Sequence, residues 1–287
     1  MKVVCQIIVV LFFLFLQVGN GVAQVIHSTA YTVNQGLSQS NVTCLEKDRR
    51  GFIWVGTQDG LNRFDGYQFK IFKHNPSDTN SLSNNFINDI LEAEDGSLWI
   101  ATNYGLNRYN PLTDRFQIFI SRPEEQNSLP ENQILKLQED SQGQIWIKTV
   151  HYLVRYHPER NEFTSFKHFN DYFNYYDGTN NFDLLIDRLD KLWVGTKDGL
   201  NLFNRELEIF KRFKHDPSDP SSLSDNMVQS IYEDARGRLW IGTDNGLNLF
   251  DREEQQFKQY YVTRQSQGID QNSINDILID AEGIFWV

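Results

Sequence analysis

The chain has 287 residues, of which 40% are apolar, and a formal net charge of -11, which is typical of a globular protein with room for one large domain. The acidic excess, together with the lack of any run of Lys or Arg, excludes the clustered cations on which nucleic-acid affinity mainly depends. We therefore expect no nucleic-acid partner for this chain.

The first 23 residues have the pattern of a secretory signal peptide. Lys2 is followed by an apolar run, 3–18, and small residues stand three and one positions before the predicted cleavage point, at Gly21 and Ala23. The alternative is an uncleaved membrane anchor, although a run of about 16 residues is short for a span of roughly 20. We predict a signal peptide at 1–23 and an exported domain at 24–287.

One motif recurs through the rest of the chain. A clear copy is Ile53-Trp54-Val55-Gly56-Thr57, followed by Asp59-Gly60-Leu61-Asn62. A fixed period of 45 to 47 residues is typical of a solenoid, a propeller or an array. All six tryptophans occupy the tryptophan position of this motif: Trp54, Trp99, Trp146, Trp193, Trp240 and Trp286.

Each repeat predicts four short strands, A to D. In the second repeat these are 86–91, 98–102, 106–109 and 116–120. Strand B is apolar on both faces, which indicates a sheet that is buried on both sides. Such units cannot be stable alone, and radial stacking makes them a β-propeller. We predict an all-β propeller of four-stranded antiparallel blades, with about five full blades and the start of a sixth, as an incomplete seven-bladed ring.

The segment before the first repeat, 25–32, is compatible with a strand. It leads into Gly36-Leu37-Ser38, as the predicted D strands lead into Ser81-Leu82-Ser83 and Ser222-Leu223-Ser224. We therefore expect it to be the outer strand of the blade that closes the ring. Cys44 would be the only cysteine after cleavage, and its apolar-patterned position predicts a small core residue.

The turns between strands have their own chemistry. Between A and B, Asp48 with Gly51 fits a type I turn. Between B and C, Asp59-Gly60 predicts a type I′ turn, with positive φ at both central residues. Some copies depart from the pattern. In the third copy, Lys148 stands two positions after the tryptophan, where the other copies have a small residue, and Tyr152 replaces the glycine of the B–C turn. The B–C turn of the third copy must therefore adopt a different conformation from the others. Ala93 replaces the A–B Asp in the second copy, and Asp190 the A–B Gly in the fourth.

The run from Gly36 to Gly66, with its Gly-Leu-Ser and Ile-Trp-Val-Gly-Thr motifs, resembles the two-component regulator propeller repeats. In that family such repeats form the exported N-terminal part of hybrid sensor histidine kinases of Bacteroidetes-type bacteria. The resemblance covers nearly everything after residue 30. It implies a membrane span, a kinase and often a DNA-binding regulator beyond this chain, and the end at Val287, inside a strand, then reads as a truncation.

The resemblance implies a function for the chain. It would be the extracytoplasmic ligand-sensing propeller of a hybrid two-component histidine kinase, detecting a glycan-derived ligand and controlling transcription through a phosphorelay. The implied partners are an oligosaccharide or other small ligand and, in the full-length protein, a second copy in a homodimer. The chain would be periplasmic, tied to the inner membrane only by a downstream segment. This fragment would be no enzyme, although its full-length parent would be a histidine kinase.

Strand order places the B–C turns and the long D–A connections at one end of every blade, where binding residues tend to lie. The connection 168–182 departs from the others because it lacks Leu-Ser and mixes aromatic residues with Asn and Asp, as a carbohydrate site does. Alternatively, these rings fill the space between blades. The candidate ligand-binding residues are Tyr172, Phe173, Tyr175, Tyr176, Asp177, His151, Tyr152, Tyr104, Lys197 and Asp198.

Catalysis has little support in the sequence. The aspartates of the A–B turns recur once per repeat, as turn residues do, and nothing singles out one of them as a general acid. The six histidines show no metal-ligand spacing and no glycine-rich phosphate loop occurs, so we expect no catalytic residue, metal or cofactor. Two alternatives stay open: an exported polysaccharide lyase or glycosidase, and a protein-interaction scaffold.

Overall fold

The repeats fold into antiparallel sheets in the computed structural model, which describes residues 30–125, 127–167, 182–261, 272–280 and 284–286. Within these ranges the strands form five four-stranded sheets and one two-stranded sheet. They all belong to one unit, Thr32–Val287, which begins with a 3₁₀ turn at Val33–Gln35. The predicted all-β class and the four-stranded antiparallel blade are confirmed, whereas the blade count of a closed ring stays a prediction.

The four strands of each blade are neighbours in the order in which they occur along the chain. Blade 1 contains β1 (Val42–Lys47), β2 (Ile53–Thr57), β3 (Gly60–Phe64) and β4 (Phe69–Phe72). Blade 2 contains β5 (Ile87–Glu92), β6 (Leu98–Thr102), β7 (Gly105–Asn110) and β8 (Arg115–Phe119). Blade 3 contains β9 (Ile134–Glu139), β10 (Ile145–Thr149), β11 (Tyr152–His157) and β12 (Glu162–Lys167). Blade 4 contains β13 (Leu184–Ile186), β14 (Leu192–Thr196), β15 (Gly199–Asn204) and β16 (Ile209–Phe213). Blade 5 contains β17 (Val228–Glu233), β18 (Leu239–Thr243), β19 (Gly246–Asp251) and β20 (Gln256–Tyr260), and the sixth sheet contains β21 (Leu278–Ile279) and β22 (Phe285–Trp286).

Two sequence predictions at the N-terminus are not tested by this structure. The predicted signal peptide, 1–23, lies outside the described residues, and so do residues 25–29 of the predicted N-terminal strand. Residues 30–32 are not in a strand, and Thr32 caps the 3₁₀ turn.

The core lies between the blades. Strand β6 is buried along its whole length, as the two apolar faces predicted. The Trp99 ring stacks on Phe119 of its own blade at 5.7 Å between centroids and meets Tyr156 of blade 3 edge-on at 5.0 Å. Because each blade buries its tryptophan against the next blade, the repeats stabilise one another rather than folding singly.

The A–B turn aspartates do more than form turns. In blade 4, Asp187 accepts the backbone N–H of Leu189 and Lys191 on one oxygen and the indole N–H of Trp193, at 2.9 Å, on the other. The same indole bond joins Trp54 to Asp48, Trp146 to Asp140, Trp240 to Asp234 and Trp286 to Asp280. One carboxylate therefore closes the turn and fixes the tryptophan that fills the space between blades.

The predicted type I′ turn between strands B and C is wrong. Thr57 pairs directly with Gly60, so Gln58 and Asp59 form the loop, and of these residues only Gly60 has positive φ, at 133°. The Thr57 hydroxyl accepts the Asp59 N–H at 3.1 Å and donates to the Gly60 carbonyl at 2.9 Å. A threonine hydroxyl that bonds both backbone groups selects this conformation instead.

The residue two positions after the tryptophan must be small because side chains of its own blade and of the next blade pack against it. A side chain at Gly56 would place its Cβ 2.4 Å from Cys44 Sγ and 2.8 Å from a carbon of Ile87 in blade 2. Cys44 itself is a partly buried packing residue, as predicted. Burial raises the pKa of its thiol to about 12.

Candidate functional site

The B–C turns and the D–A connections meet at one end of the blades, which we call the B–C face. The turn glycine of a blade donates its N–H to an asparagine carbonyl of the following D–A connection: Gly60 to Asn85 at 2.8 Å and Gly105 to Asn132 at 2.7 Å. Gly199 bonds Asn226 in the same way. The placement predicted from strand order is confirmed.

The repeated Leu-Ser and Gly-Leu-Asn motifs make this face rigid. Buried Asn107 accepts the N–H of Ser83 at 2.9 Å and donates to the Ser83 hydroxyl at 2.8 Å, and Asn248 does the same with Ser224. A buried amide that is bonded through both its oxygen and its nitrogen holds the connection against the hairpin. The motifs are therefore structural, and they present the loop tips in fixed positions.

Blade 4 departs from this arrangement. The side-chain oxygen Oδ1 of Asn201 accepts a hydrogen bond from Arg212 Nε at 3.0 Å, whereas the matching asparagines of other blades accept one from a Leu-Ser loop. The connection that would supply that loop, 168–181, lies outside the described residues, so five candidates have no geometry here. They are Tyr172, Phe173, Tyr175, Tyr176 and Asp177.

The structure brings Tyr104 and His151 to adjacent parts of the B–C face. Tyr104 is 52% exposed at the tip of the blade 2 turn, beside Gly105, which is bonded to Asn132. His151 in the blade 3 turn is bonded to the neighbouring Glu131, through its N–H at 2.7 Å and its ring Nδ1 at 3.0 Å. An exposed ring therefore lies near a held imidazole–carboxylate pair.

The other candidates on this face are less available. Tyr152 packs against the hydrophobic cluster between blades 2 and 3. It lacks positive φ, which confirms that the blade 3 turn differs from the others. Asp198 is paired with Arg212 at 2.7 Å and with Lys214 at 2.6 Å, so its carboxylate is already neutralised. Within the described residues, the bonds of the Asp198 side chain go to Arg212 and Lys214 and not to Tyr104 or His151.

A second polar region lies on the innermost strands, and sequence reasoning missed it. Asp89 of blade 2 accepts the Leu137 N–H of blade 3 at 2.8 Å, and Asp183 accepts the Ile231 N–H of blade 5 at 3.0 Å. Both aspartates stand ten positions before a tryptophan, where every copy has a polar or small residue rather than an apolar one. The full set is Cys44, Asp89, Lys136, Asp183, Ser230 and Asp276.

Burial controls the charges of this inner set. Burial raises the pKa of both Asp89 and Asp183, while the nearby Asp89 carboxylate raises the pKa of Lys136. Lys148, the replacement for the small residue after Trp146, is only 1% exposed, with its ammonium 5.2 Å from the Phe182 ring centre. Burial lowers the pKa of Lys148 to about 7, although Asp183 opposes the change.

The described residues offer neither a metal site nor a membrane-spanning helix. They contain no group of three His, Cys, Asp or Glu side chains arranged to hold a metal ion. In the same part of the chain, no helix has both the length and the apolar character that crossing a bilayer requires.

Comparison with protein families confirms the resemblance stated from the sequence. Four stretches match the two component regulator propeller family: 36–59, 81–104, 128–151 and 222–245. Each stretch begins at a Gly-Leu-Ser, Ser-Leu-Ser or Ser-Leu-Pro sequence and runs into the B–C turn. The blade of Trp193, whose connection lacks the Leu-Ser motif, lies outside them.

Similar proteins point the same way. Histidine kinase P4 of Formosa agariphila is 54% identical over 54 residues, which is 19% of this chain and 4% of that protein. The extracellular domain of a protein described as a hybrid two component system from B. thetaiotaomicron superposes with a TM-score of 0.68 at 23% identity, over 90% of this chain and 40% of that one. Virginiamycin B lyase from Staphylococcus aureus gives 0.62 at 11% identity, over 86% and 76%. The two structural likenesses show the fold alone, and this chain spans less than half the length of the first two relatives.

Proposed function

We propose that this chain, whose blades are two component regulator propeller repeats, is the ligand-sensing part of a hybrid two-component sensor histidine kinase, and that it works outside the cytoplasm. Residues 1–23 would direct its export to the periplasm. The kinase, the membrane span and the homodimer contacts would belong to the full-length protein, which would control transcription through a phosphorelay.

The observation that carries the proposal is the B–C face. Its loops are held by buried asparagines such as Asn107, so the face is a preformed surface rather than a set of loose loops. Preformed surfaces bind with less loss of conformational entropy than mobile ones. A rigid face with exposed loop tips is what a receptor domain needs.

We propose a glycan-derived ligand for this face. Tyr104 offers an exposed ring for the apolar face of a sugar, and the His151–Glu131 pair offers a donor and an acceptor for hydroxyl groups. The aromatic residues of the 168–182 sequence would add further rings.

Binding of defined oligosaccharides to the purified chain tests the proposal. Isothermal titration with enzymatic digests of several polysaccharides should give heat with at least one of them, and Tyr104→Ala should weaken that binding roughly tenfold. The matched control is Tyr67→Ala, since Tyr67 is 95% exposed in a C–D turn, at the opposite end of the blade. Equal losses in both variants, or no heat from any digest, would contradict a glycan site on the B–C face.

The same samples separate the alternatives. If new reducing ends or unsaturated products accumulate during the titration, the polysaccharide lyase or glycosidase would be favoured. Capture of a protein partner on the B–C face, without any response to saccharides, would favour the scaffold.

A further inference from the structure

Blade 2 departs from the other blades at its tryptophan. Every other copy has an aspartate six positions before the tryptophan, and that carboxylate accepts the indole N–H. Blade 2 has Ala93 there. Trp99 is only 2% exposed, and among the described residues nothing accepts its indole N–H. The indole N–H is therefore left for an acceptor from outside the protein, and the Oγ of buried Ser97, two residues before Trp99, has no hydrogen-bond partner among the described residues.

A second group is lost at the same junction. Where blade 5 meets blade 4, Arg252 bridges Asp187 at 2.6 Å and Glu233 at 3.0 Å. Arg205 of blade 4 reaches Asp140 of blade 3 at 3.5 Å in the matching way. Both arginines stand twelve positions after a tryptophan.

In blade 3 the matching position is Pro158, which cannot supply a guanidinium. Glu139, the counterpart of Glu233, accepts the Glu94 N–H on Oε2 at 2.6 Å. Within the described residues its other oxygen has no donor. The blade 2–3 junction has therefore lost both halves of the Asp–Arg pair, and each loss leaves one protein group without its partner.

The two losses open a cavity of about 390 Å³, which we call the blade 2–3 cavity. This volume is at the lower end of the range of ligand sites, roughly 300–1,000 Å³, and suits a molecule of the size of one sugar ring. Ala93 and Pro158 both border it, so the missing side chains account for the space. Its polar lining includes Trp99, Arg108, Asp95 and Glu139.

The charges around the cavity select the kind of ligand. Arg108 lies over the Trp99 ring at 5.4 Å and is paired with Asp95 at 2.9 Å. Glu94 and Glu139 add two more carboxylates, so acid is in excess and an anion would be repelled. A hydroxyl group both accepts and donates hydrogen bonds. Adjacent hydroxyls can therefore accept a hydrogen bond from the Trp99 N–H and donate one to the Glu139 carboxylate.

We propose that the blade 2–3 cavity binds a neutral polyhydroxylated molecule of monosaccharide size, whose hydroxyls replace the aspartate and arginine that are present at the blade 3–4 and blade 4–5 junctions. The inference rests on the proposed function in taking that molecule to be a sugar. This site lies between the A–B and C–D turns, at the opposite end of the blades from the B–C face.

The test uses a variant that fills the cavity instead of damaging it. Ala93→Asp combined with Pro158→Arg introduces the pair found at the blade 3–4 and blade 4–5 junctions, so it should keep the fold and raise the thermal midpoint. Trp99→Phe keeps an aromatic side chain at this position and removes the N–H together with one ring of the indole. The probes are D-glucose, D-galactose and D-xylose, with D-glucuronate as the anionic control, each followed by saturation-transfer NMR and calorimetry on the whole chain.

At least one neutral sugar should bind the wild type more tightly than glucuronate does. Trp99→Phe should weaken that binding about five- to tenfold, as for one lost hydrogen bond, and the filled variant should abolish it. Equal binding by the filled variant would overturn the cavity site while leaving a B–C face receptor intact. If none of the three neutral sugars binds, the inference is overturned even where oligosaccharides still bind through Tyr104. If the filled variant does not fold, the Trp99→Phe result alone decides.

Discussion

Replacing Asp187 by alanine is the sharpest test of how the blades are held together. The Asp187 carboxylate is fully buried and accepts the Trp193 indole N–H at 2.9 Å and Arg252 at 2.6 Å. Asp187→Ala leaves an indole N–H and two backbone N–H groups without their acceptor, and the partly buried Arg252 guanidinium keeps only its pairing with Glu233 and the Gly237 carbonyl.

The expected cost follows from removing one member of a buried ion pair, which typically destabilises a protein by about 3–5 kcal/mol. For a chain of this size each kcal/mol lowers the thermal midpoint by roughly 2–4 °C, so a fall of about 10 °C is expected. The hydrogen bonds from Trp193 and the charge of Arg252 overcome burial and lower the pKa of Asp187. A lowered pKa stabilises the fold above the unfolded value of about 3.9, so the difference between the two proteins should shrink as the pH falls below about 4.

Thermal unfolding followed by far-ultraviolet circular dichroism measures the effect. The matched control is Asp59→Ala. Asp59 forms a solvent-exposed salt bridge with Lys73, so its replacement should lower the free energy of unfolding by less than about 1 kcal/mol. Trp193→Phe removes the indole N–H and one ring but keeps the Asp187–Arg252 pair, and it should have an intermediate effect. A fall of less than about 2 °C for Asp187→Ala, or a difference that persists unchanged at pH 3, would refute the reasoning.

Three further predictions concern packing and charge. Trp99→Ala should lower the free energy of unfolding by about 3–5 kcal/mol because the ring is buried. Trp286 is 59% exposed, so Trp286→Ala should lower it by less than about 1 kcal/mol. Similar losses for the two variants in urea unfolding would contradict the burial argument. Lys148→Met should stabilise the protein at pH 7 by about 1–4 kcal/mol and by much less at pH 10. The folded pKa of about 7 is below the unfolded value of about 10.4, so the wild type gains stability as the pH rises between them. Equal shifts of the thermal midpoint at both pH values would show that burial does not lower this pKa. Gly56→Ala should destabilise the protein by about 1–3 kcal/mol, because the added Cβ would contact Cys44 Sγ. Adding Cys44→Ala to this variant should recover part of that loss. Additive effects of the two substitutions would mean that the two side chains do not meet.

The end of the blade at which each loop lies was predictable, because strand order alone decides which loops share an end. Tyr104 and His151 were placed on one face by that argument, and the structure confirms the placement. The pairing of Asp198 with Arg212 and Lys214 was not predictable, since nothing in the sequence pattern tells whether a charged tip is free or neutralised. The type I′ turn failed because the Thr57 hydroxyl, not the Asp-Gly dipeptide, sets the register.

The sequence by itself determined the architecture. The number of repeats in this chain, the strand order and the buried tryptophan follow from a period of 45 to 47 residues and from the alternation of apolar and polar residues within each strand. Only the tertiary structure decided that two departures from the repeat meet at one junction. Ala93 and Pro158 stand in two separate repeats, and each lacks one side chain of the Asp–Arg pair that is present at the blade 3–4 and blade 4–5 junctions. They open a cavity because blade stacking brings them to one junction, and contacts between distant residues leave no mark on the local pattern.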